Sequence, residues 1–312
     1  MPATREVEHD VKIRAPADQV YRLIADVANW PLIFPPTVHV EYLERADEQE
    51  RIQIWATANG EAKTWTSRRE LDPAAMRIEF RQERSTPPVG AMGGTWVIDE
   101  VTADECHVRL LHDYRAVDDD PAKLDWISTA VDRNSRSELA ALKANAELAT
   151  GRGDLVMTFE DTIRLDGSAA EAFDFVNAAQ LWQERLPHVA RVLLTEDTPG
   201  LQLLEMDTLT KDGSVHTTKS VRVTFPHERI VYKQTQVPAL MTVHTGLWTF
   251  AEDGAGATAS SRHTVVINES RIASVLGADA GVAEAKTFVH KALSANSTAT
   301  LNLANEYAKG SA

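Results

Sequence analysis

The stretch Lys63-Thr-Trp-Thr-Ser-Arg-Arg-Glu-Leu-Asp-Pro73 stands two residues after the dipeptide Asn59-Gly60. Asn-Gly is a strong signal for a tight β-hairpin turn, so we predict that the stretch forms the returning strand. Residues two apart in a strand share a face, which places Trp65, Ser67 and Arg69 on one side. Taken alone, this is most simply a surface strand whose polar side chains meet water. A second copy of the pattern changes that interpretation.

An internal repeat runs through the chain at a spacing of 152 residues (182 − 30 = 152), with one inserted residue in part of the second copy. The matched pairs are Trp30 with Trp182, Trp96 with Trp248, Asn59-Gly60 with Asp212-Gly213, Ser67 with Ser220, and Arg69 with Arg222. The matches are collinear, and two long copies indicate a duplicated domain rather than a solenoid. We predict domains at 1–150 and 155–312, joined by the glycine-containing linker Thr150–Asp154.

Each copy has the same predicted order of elements: a strand, short helices, about six further strands and a long helix. Val7–Arg14 alternates apolar and polar residues and predicts the first strand. Asp118–Asp120 followed by Pro121 is typical of a helix start and predicts a long helix to about Leu148. Short turns between the strands favour an antiparallel meander. The long helix is the element able to cover one face of such a sheet, which predicts a cleft between them.

Composition excludes several classes of function. The chain has 312 residues, 46 acidic against 32 basic side chains, and a net charge of −14, which argues against binding nucleic acid or an anionic membrane. It has one cysteine, Cys106, flanked by acids that disfavour a reactive thiolate. No signal peptide or membrane-spanning run is apparent, so we expect a cytoplasmic protein. No spacing of metal ligands and no phosphate-binding glycine loop occurs either.

The predicted layout resembles the helix-grip fold of START/Bet v 1-like proteins. The motif Trp65-Thr-Ser-Arg-Arg69, with Trp30, Met92 and Trp96, resembles the di-domain aromatase/cyclases of bacterial type II polyketide biosynthesis. This resemblance implies an α+β fold of two tandem helix-grip domains. Each would be a curved antiparallel sheet of six to seven strands wrapped around a long C-terminal helix, with an internal cavity.

The resemblance also implies an activity, found in antibiotic biosynthesis. Such enzymes direct the first aldol ring closure and the dehydration that makes the ring aromatic, a lyase-type reaction on a poly-β-ketone carried by an acyl carrier protein. They are thought to need no metal and no redox cofactor. Transient contact with the ketosynthase/chain-length factor and the ketoreductase is expected. Closure between carbons seven and twelve of a ketoreduced chain is favoured, and closure between nine and fourteen remains open.

The candidate catalytic residues are polar groups of the predicted strands. Arg69 is permanently charged and could stabilise a developing enolate, with Ser67 hydrogen-bonded to the same oxygen. Proton transfer would fall to His112 or Tyr114. A structural strand role explains His112 and His263 equally well, and Tyr114 is better explained as a core or cavity-wall residue. The second-half candidates are Arg222, Ser220 and His263. For Arg222, hydrophobic patterning alone favours Val221 and Val223 as the inward face instead.

Candidate substrate-binding residues are mostly aromatic and would form flat walls that fold a flexible chain. They are Trp30, Trp65, Met92 and Trp96 in the first half, Trp182, His244 and Trp248 in the second, and the helix residues Asn134 and Asn296. Asn134 and Asn296 are also explained by structural helix contacts. The halves differ where Thr218 replaces Trp65 and His244 replaces Met92, so we expect catalysis to depend more on Arg69 than on Arg222.

Two alternatives to an enzyme remain open: a non-catalytic lipid- or polyphenol-binding carrier of the same fold, and a chaperone-type interaction module. Arg133, Arg136 and Lys143 lie near one face of the first long helix and could dock an acidic carrier protein. A solvated helix face explains the same three residues.

Overall fold

The protein is described from a computed structural model that covers residues 4–58, 60–151, 153–209 and 213–310. The chain divides into two compact units, Met1–Gly153 and Asp154–Ala312. Each unit contains one seven-stranded antiparallel sheet and one long C-terminal helix, which confirms the predicted fold class of two tandem helix-grip domains.

In the first unit, the first and last strands along the sequence are neighbours in the sheet. The strands are β1 (Arg5–Ile13), β2 (Thr37–Arg45), β3 (Gln49–Ala58), β4 (Glu61–Asp72), β5 (Arg77–Gln82), β6 (Val89–Thr102) and β7 (Glu105–Ala116). The helices are α1 (Ala17–Ala25), α2 (Trp30–Ile33) and α3 (Pro121–Gly151). The strand order β1-β7-β6-β5-β4-β3-β2 is a meander whose last strand returns to pair with the first.

The second unit repeats this plan. Its strands are β8 (Val156–Leu165), β9 (Val189–Thr198), β10 (Leu201–Leu209), β11 (Val215–Phe225), β12 (Arg229–Gln236), β13 (Met241–Asp253) and β14 (Gly256–Ile267). Its helices are α4 (Ala169–Asn177), α5 (Trp182–Arg185), α6 (Ile272–Leu276) and α7 (Val282–Gly310). The order β8-β14-β13-β12-β11-β10-β9 matches that of the first sheet.

The predicted hairpin between β3 and β4 is present. The two strands pair antiparallel, with Ala58 opposite Glu61, and Gly60 has a φ of +82°. Gly213 precedes β11 with a φ of +81°. Glycine adopts this left-handed conformation without steric cost, which explains its place in both turns. The partners Asn59 and Asp212 of the predicted turns lie outside the described residues.

The start of α3 follows the predicted capping signal. The Asp120 carboxylate accepts a hydrogen bond from the backbone N–H of Ala122 at 2.9 Å, and Pro121 is the first helical residue. The apolar stripe of this helix is buried: Leu124, Ile127, Val131, Leu139 and Leu142. Because this stripe packs against the sheet, the polar residues that share the helix face are brought to the sheet as well.

Candidate active site

A cavity of about 120 Å³ lies in the second unit between the sheet and α7. All the site residues predicted in this half of the chain line it: Trp182, Ser220, Arg222, His244, Trp248, His263 and Asn296. Further lining residues come from the strands and include Tyr232 and Thr218. The side chains predicted from the repeat therefore converge, although they are spread over more than 100 residues of sequence.

A hydrogen-bond network centres on His263. Its Nδ1 lies 3.0 Å from Nε2 of His244 and 3.2 Å from the hydroxyl oxygen of Tyr232. Its Nε2 lies 3.1 Å from Oγ of Ser261. Both ring nitrogens of His263 thus have partners within hydrogen-bonding distance. These partners lie on β12, β13 and β14 itself, and together they fix the orientation of the imidazole ring.

Burial keeps this network uncharged at neutral pH. Desolvation lowers the pKa of His263 to about 4. Desolvation, followed by the neighbouring His263, lowers the pKa of His244 to about 3. Burial also raises the pKa of the Tyr232 phenol. The group therefore presents two neutral imidazoles and a neutral phenol, which can exchange hydrogen bonds or accept a proton.

The Gly246 position explains how the Tyr232 ring reaches the two histidines. Gly246 is directly opposite Tyr232 on the neighbouring strand, and a Cβ there would lie 2.1 Å from Cζ of Tyr232. Because any side chain at residue 246 would displace the ring, glycine is required for this contact.

Arg222 supplies the positive charge of the second-unit cavity. Only 2% of the residue is exposed, and its Nη2 donates to the backbone carbonyl of Val176 at 2.8 Å. Its guanidinium lies 5.0 Å from the Trp182 ring centroid. The interpretation that only Val221 and Val223 face inward is wrong, because Arg222 and both valines are buried. Burial lowers the pKa of Arg222 to about 10, which still leaves it charged at neutral pH.

Arg69 in the first unit is buried to the same degree but makes more hydrogen bonds with the protein and has a buried counterion. Its Nη1 donates to Oε2 of Glu50 at 2.8 Å and to the carbonyl of Ala25 at 3.0 Å, and its Nη2 donates to the carbonyl of Ile24 at 2.8 Å. The residue is 2% exposed. Three of its five N–H groups are therefore occupied by the protein itself, and a buried carboxylate balances its charge.

The other residues of the opening stretch are placed as the strand pattern predicts. Ser67 is buried on the face of Arg69, whereas Arg68 and Glu70 are exposed. Ser67 Oγ donates to the carbonyl of Arg81 at 3.1 Å, which ties β4 to β5. Its hydroxyl is thus used within the sheet rather than turned toward Arg69.

The aromatic residues predicted in the first half pack in two clusters, and Trp30 contacts both. Trp30 and Trp65 contact the apolar group that contains Val40 and Ile52, and the Trp30 ring centroid lies 5.2 Å from the Arg69 guanidinium. Trp96 is buried in the cluster next to α1 and α3, and Met92 packs beside Tyr114. Asn134 is exposed, and its Oδ1 accepts a hydrogen bond from Nε of Arg133 at 3.4 Å.

His112 lies where β7 meets α3. Its Nδ1 is 3.4 Å from Oγ of Ser135, and its ring packs edge-on against Phe80 at 5.5 Å. Burial lowers the pKa of His112 to about 4, so the imidazole is neutral at pH 7. Tyr114, two residues on, is buried within the apolar cluster next to α3, and its hydroxyl has no hydrogen-bond partner among the described residues. This placement supports a core or wall role for Tyr114.

Glu138 is a site candidate that sequence patterning missed. It follows Ser135 by three residues, so both lie on one face of α3. Desolvation raises the pKa of the Glu138 carboxyl to about 7. In the repeat, Asn134-Ser135 matches Asn296-Ser297, which places Glu138 in register with Thr300, a residue lining the second-unit cavity. The repeat alignment extended by three residues would have found it.

Strand pairing makes the two units directly comparable. His112 is opposite Gly94 across β6 and β7, and His263 is opposite Gly246 across β13 and β14. The two histidines therefore occupy equivalent positions in the two sheets. The same registers match Phe80 with Tyr232, Met92 with His244, Leu110 with Ser261, and Glu50 with Gln202.

Comparison with known proteins identifies the family. The model of the family described as polyketide cyclase/dehydrase and lipid transport matches residues 4–147 and again 157–306. The chain belongs to this family. The double match shows that each unit is a complete member of the polyketide cyclase/dehydrase family.

Named relatives of this chain are polyketide synthase components. It is 51% identical over 300 residues to the granaticin polyketide synthase bifunctional cyclase/dehydratase of Streptomyces virginiae, covering 95% of this chain and 97% of that protein. It is 46% identical over 310 residues to the actinorhodin polyketide synthase bifunctional cyclase/dehydratase of Streptomyces coelicolor, covering 96% of each.

Solved structures in the polyketide cyclase/dehydrase family agree with the fold. The di-domain ARO/CYC BexL from the BE-7585A pathway matches with a TM-score of 0.91 and 65% identity, over 97% of this chain and 98% of BexL. The di-domain ARO/CYC StfQ from the steffimycin pathway matches with a TM-score of 0.87 and 35% identity, over 97% and 98%.

The described ranges contain neither a cluster of metal ligands nor a membrane-spanning helix. In them, no three histidine, cysteine or acidic residues come close enough to hold a metal ion. Within the same ranges, no helix is long and apolar enough to cross a membrane. Cys106 is buried, and burial, followed by the nearby Glu105, raises its pKa to about 11, which disfavours a thiolate.

Proposed function

We propose that this chain is a polyketide aromatase/cyclase that closes and dehydrates the first ring of a poly-β-ketone without a metal or redox cofactor. The observation that carries this proposal is the second-unit cavity, whose walls combine Trp182 and Trp248 with Arg222, Tyr232 and His263. A fixed cation favours a developing enolate oxygen, and neutral imidazoles and phenols serve proton transfer. The names of the granaticin and actinorhodin relatives support the same two reactions.

The proposed substrate is a poly-β-ketone chain attached to an acyl carrier protein. Closure between carbons seven and twelve of a ketoreduced chain is the favoured regiochemistry, with closure between nine and fourteen as the alternative. Support comes from the polyketide synthase relatives and from apolar walls that suit a folded carbon chain. Transient contact with the ketosynthase/chain-length factor and the ketoreductase is part of the proposal.

Docking of the carrier protein on the first long helix has limited support. Arg136 is exposed, but its guanidinium lies 3.0 Å from Asp132, and the Lys143 ammonium donates to the carbonyl of Lys12 at 2.9 Å. Local acids therefore already neutralise part of this face. Charge reversal at Arg133, Arg136 and Lys143 together should slow turnover of the carrier-bound substrate if the carrier docks here, and unchanged turnover would exclude this face.

We assign dehydration to the first unit, where His112 and Glu138 differ in protonation. At pH 7 the neutral imidazole of His112 can take a proton from the carbon next to the ketone. Part of the Glu138 population is protonated, because its pKa is about 7, and can give its proton to the departing hydroxyl. A C–H and a C–O bond break, a C=C bond forms and water leaves. The proton on His112 then passes to water, and Glu138 takes up a proton from water, which restores both groups.

The experiment is product analysis with a reconstituted minimal polyketide synthase and the full chain. Glu138→Gln cannot donate a proton, so the dehydration rate should fall by about 100-fold or more. In the wild type the rate should fall as the pH rises through about 7, because Glu138 loses its proton. Asp125→Asn, which removes an exposed charge from the same helix, is the matched control and should leave the rate unchanged.

Replacement of His112 by Asn should have a similar effect and should leave cyclised, hydrated material. Native product formed at the native rate by both variants would contradict the assignment. If the wild-type protein changes only the yield or solubility of the products and not their identity, the chain is a non-catalytic carrier of the same fold.

A further inference from the structure

The two buried arginines differ in one neighbouring residue. Glu50 is directly opposite Arg69 across β3 and β4, and Gln202 is directly opposite Arg222 across β10 and β11. The carboxylate that neutralises the first guanidinium is therefore replaced by an uncharged amide at the equivalent position. Gln202 is 2% exposed, so water cannot substitute for the missing charge there.

A neighbouring carboxylate, Glu196, is hydrogen-bonded to donors other than Arg222. Glu196 accepts a hydrogen bond from Nε2 of Gln202 at 2.8 Å through one oxygen and from the backbone N–H of Gly200 at 2.7 Å through the other. It lies at the protein surface. Glu196 raises the pKa of Arg222 as Glu50 raises that of Arg69, but Glu196 acts from an exposed position whereas Glu50 is buried.

Two hydrogen-bond donors at the cavity remain unpaired. Nη1 of Arg222 and Nε1 of Trp182 are buried, and neither has an acceptor in the part of the chain that the structure describes. In the first unit, by contrast, Nε1 of Trp30 donates to the carbonyl of Ile24 at 3.1 Å. Both unpaired groups donate only, so an acceptor oxygen is the partner that they lack. Buried donors are seldom left in this state.

The remaining lining residues do not offer a compensating charge. Among the described residues, no aspartate or glutamate lines the cavity, and Arg222 is its charged group at neutral pH, because His244 and His263 are held neutral by burial. The volume, about 120 Å³, is close to that of an engineered cavity that holds one benzene ring.

We propose that the second-unit cavity is a binding site for an anionic aromatic or enolised ring, whose negative oxygen is bound by Arg222 and Trp182. A ring carboxylate and a ring enolate share this chemistry. The inference rests on the proposed function only in expecting a ligand of the polyketide ring class. Gln202 determines the selectivity for a negative ligand, because it leaves the guanidinium without a buried counterion.

The test uses a matched pair of ligands, 3,5-dihydroxybenzoate and its neutral amide 3,5-dihydroxybenzamide, with titration calorimetry on the full chain at pH 7. The benzoate should bind at least tenfold more tightly than the amide, at one site per chain. Binding of a ring enolate is then tested with 1,3-cyclohexanedione at pH values below and above the pKa of this compound. The affinity of the protein for the compound should rise as the compound ionises to its enolate.

The deciding variant is the double exchange Glu196→Gln with Gln202→Glu. It keeps the net charge and the hydrogen bond between the two side chains, and it moves the carboxylate next to Arg222. The preference for the benzoate should fall to about onefold. Glu196→Gln alone is the matched control and should keep or increase the preference, because it removes an acid without supplying the buried counterion. Arg222→Gln, checked for folding by its unfolding midpoint, should remove the preference as well.

Several results would overturn the inference. The first is equal affinity for the benzoate and the amide. The second is a preference for the benzoate that survives the double exchange. The third is a preference for the benzoate that is lost with Glu50→Gln in the first unit but kept in the second-unit variants. Binding is measured without turnover, so the outcome is independent of the product assay. A chain that binds the benzoate but makes no ring would reject the proposed function and leave this site standing.

Discussion

The two units place an arginine at the same buried position of the same sheet and give it opposite surroundings. Arg69 is part of an ion pair with Glu50, whereas Arg222 has Gln202 in that place. A buried ion pair with its hydrogen bonds satisfied is a structural element that ligands do not easily displace. A buried guanidinium without a counterion is instead a site that gains from binding an anion. The same residue type at equivalent positions of the two repeats therefore does not imply the same function.

The surroundings of the equivalent histidines differ in the same sense. His112 has Phe80, Met92 and Leu110 at the positions where His263 has the polar residues Tyr232, His244 and Ser261. The imidazole of His112 therefore has Ser135 as its neighbouring polar side chain, whereas three polar residues around His263 make it the centre of a hydrogen-bond network. The expectation that catalysis depends more on Arg69 than on Arg222 stays untested, and the geometry favours the reverse for direct contact with ligand.

The largest expected difference concerns stability. Arg69→Ala removes the buried partner of the Glu50 carboxylate and leaves it the exposed Arg45 at 3.3 Å, so the free energy of unfolding should fall by about 3–4 kcal/mol. Arg222→Ala leaves no buried counterion behind and should cost about 1 kcal/mol, mainly the hydrogen bond to Val176. Urea unfolding of both variants measures this. Equal losses would show that the two arginines are held alike, and the double variant Arg69→Gln with Glu50→Gln should recover part of the first loss.

Acid sensitivity should be greater for the second unit, which has two buried neutral histidines. An unfolded histidine takes up a proton near pH 6.5, whereas His244 stays neutral in the folded state down to about 3. The unfolded state therefore binds more protons, and stability falls as the pH falls through 6.5. His244→Met, which copies Met92, should lose about 3 kcal/mol less than the wild type between pH 7 and pH 4. Urea unfolding at several pH values tests this, and an identical pH slope would contradict it.

The smallest effect distinguishes the two central glycines. Gly246→Ala should destabilise the protein by about 1–3 kcal/mol, because the new Cβ meets the Tyr232 ring. Truncation of the ring by Tyr232→Leu should therefore restore much of the loss. Gly94→Ala meets the backbone carbonyl of Leu111 as well as the Phe80 ring, so Phe80→Leu should rescue it poorly. Unfolding midpoints of the four variants compare the pairs, and equal rescue in both units would remove this distinction.

Much of the fold could be predicted from the sequence. The repeat predicted two domains, the cap at Asp120 predicted the start of α3, and alternation predicted that Ser67 and Arg69 share one face of β4. The same repeat brought together the second-half residues that line one cavity. These signals are local or periodic, and they depend on backbone geometry that every strand and helix shares.

The sequence by itself determined which residues share a strand or helix face; the tertiary structure decided which faces are buried and which groups they meet there. Arg69 and Arg222 are identical in type and position along their strands, and their difference comes from residues on the neighbouring strand, Glu50 and Gln202. Likewise the pKa of Glu138 is raised only because packing removes its carboxyl from water. Charge balance and desolvation depend on distances between groups far apart in the chain, so periodicity and motif carry no information about them.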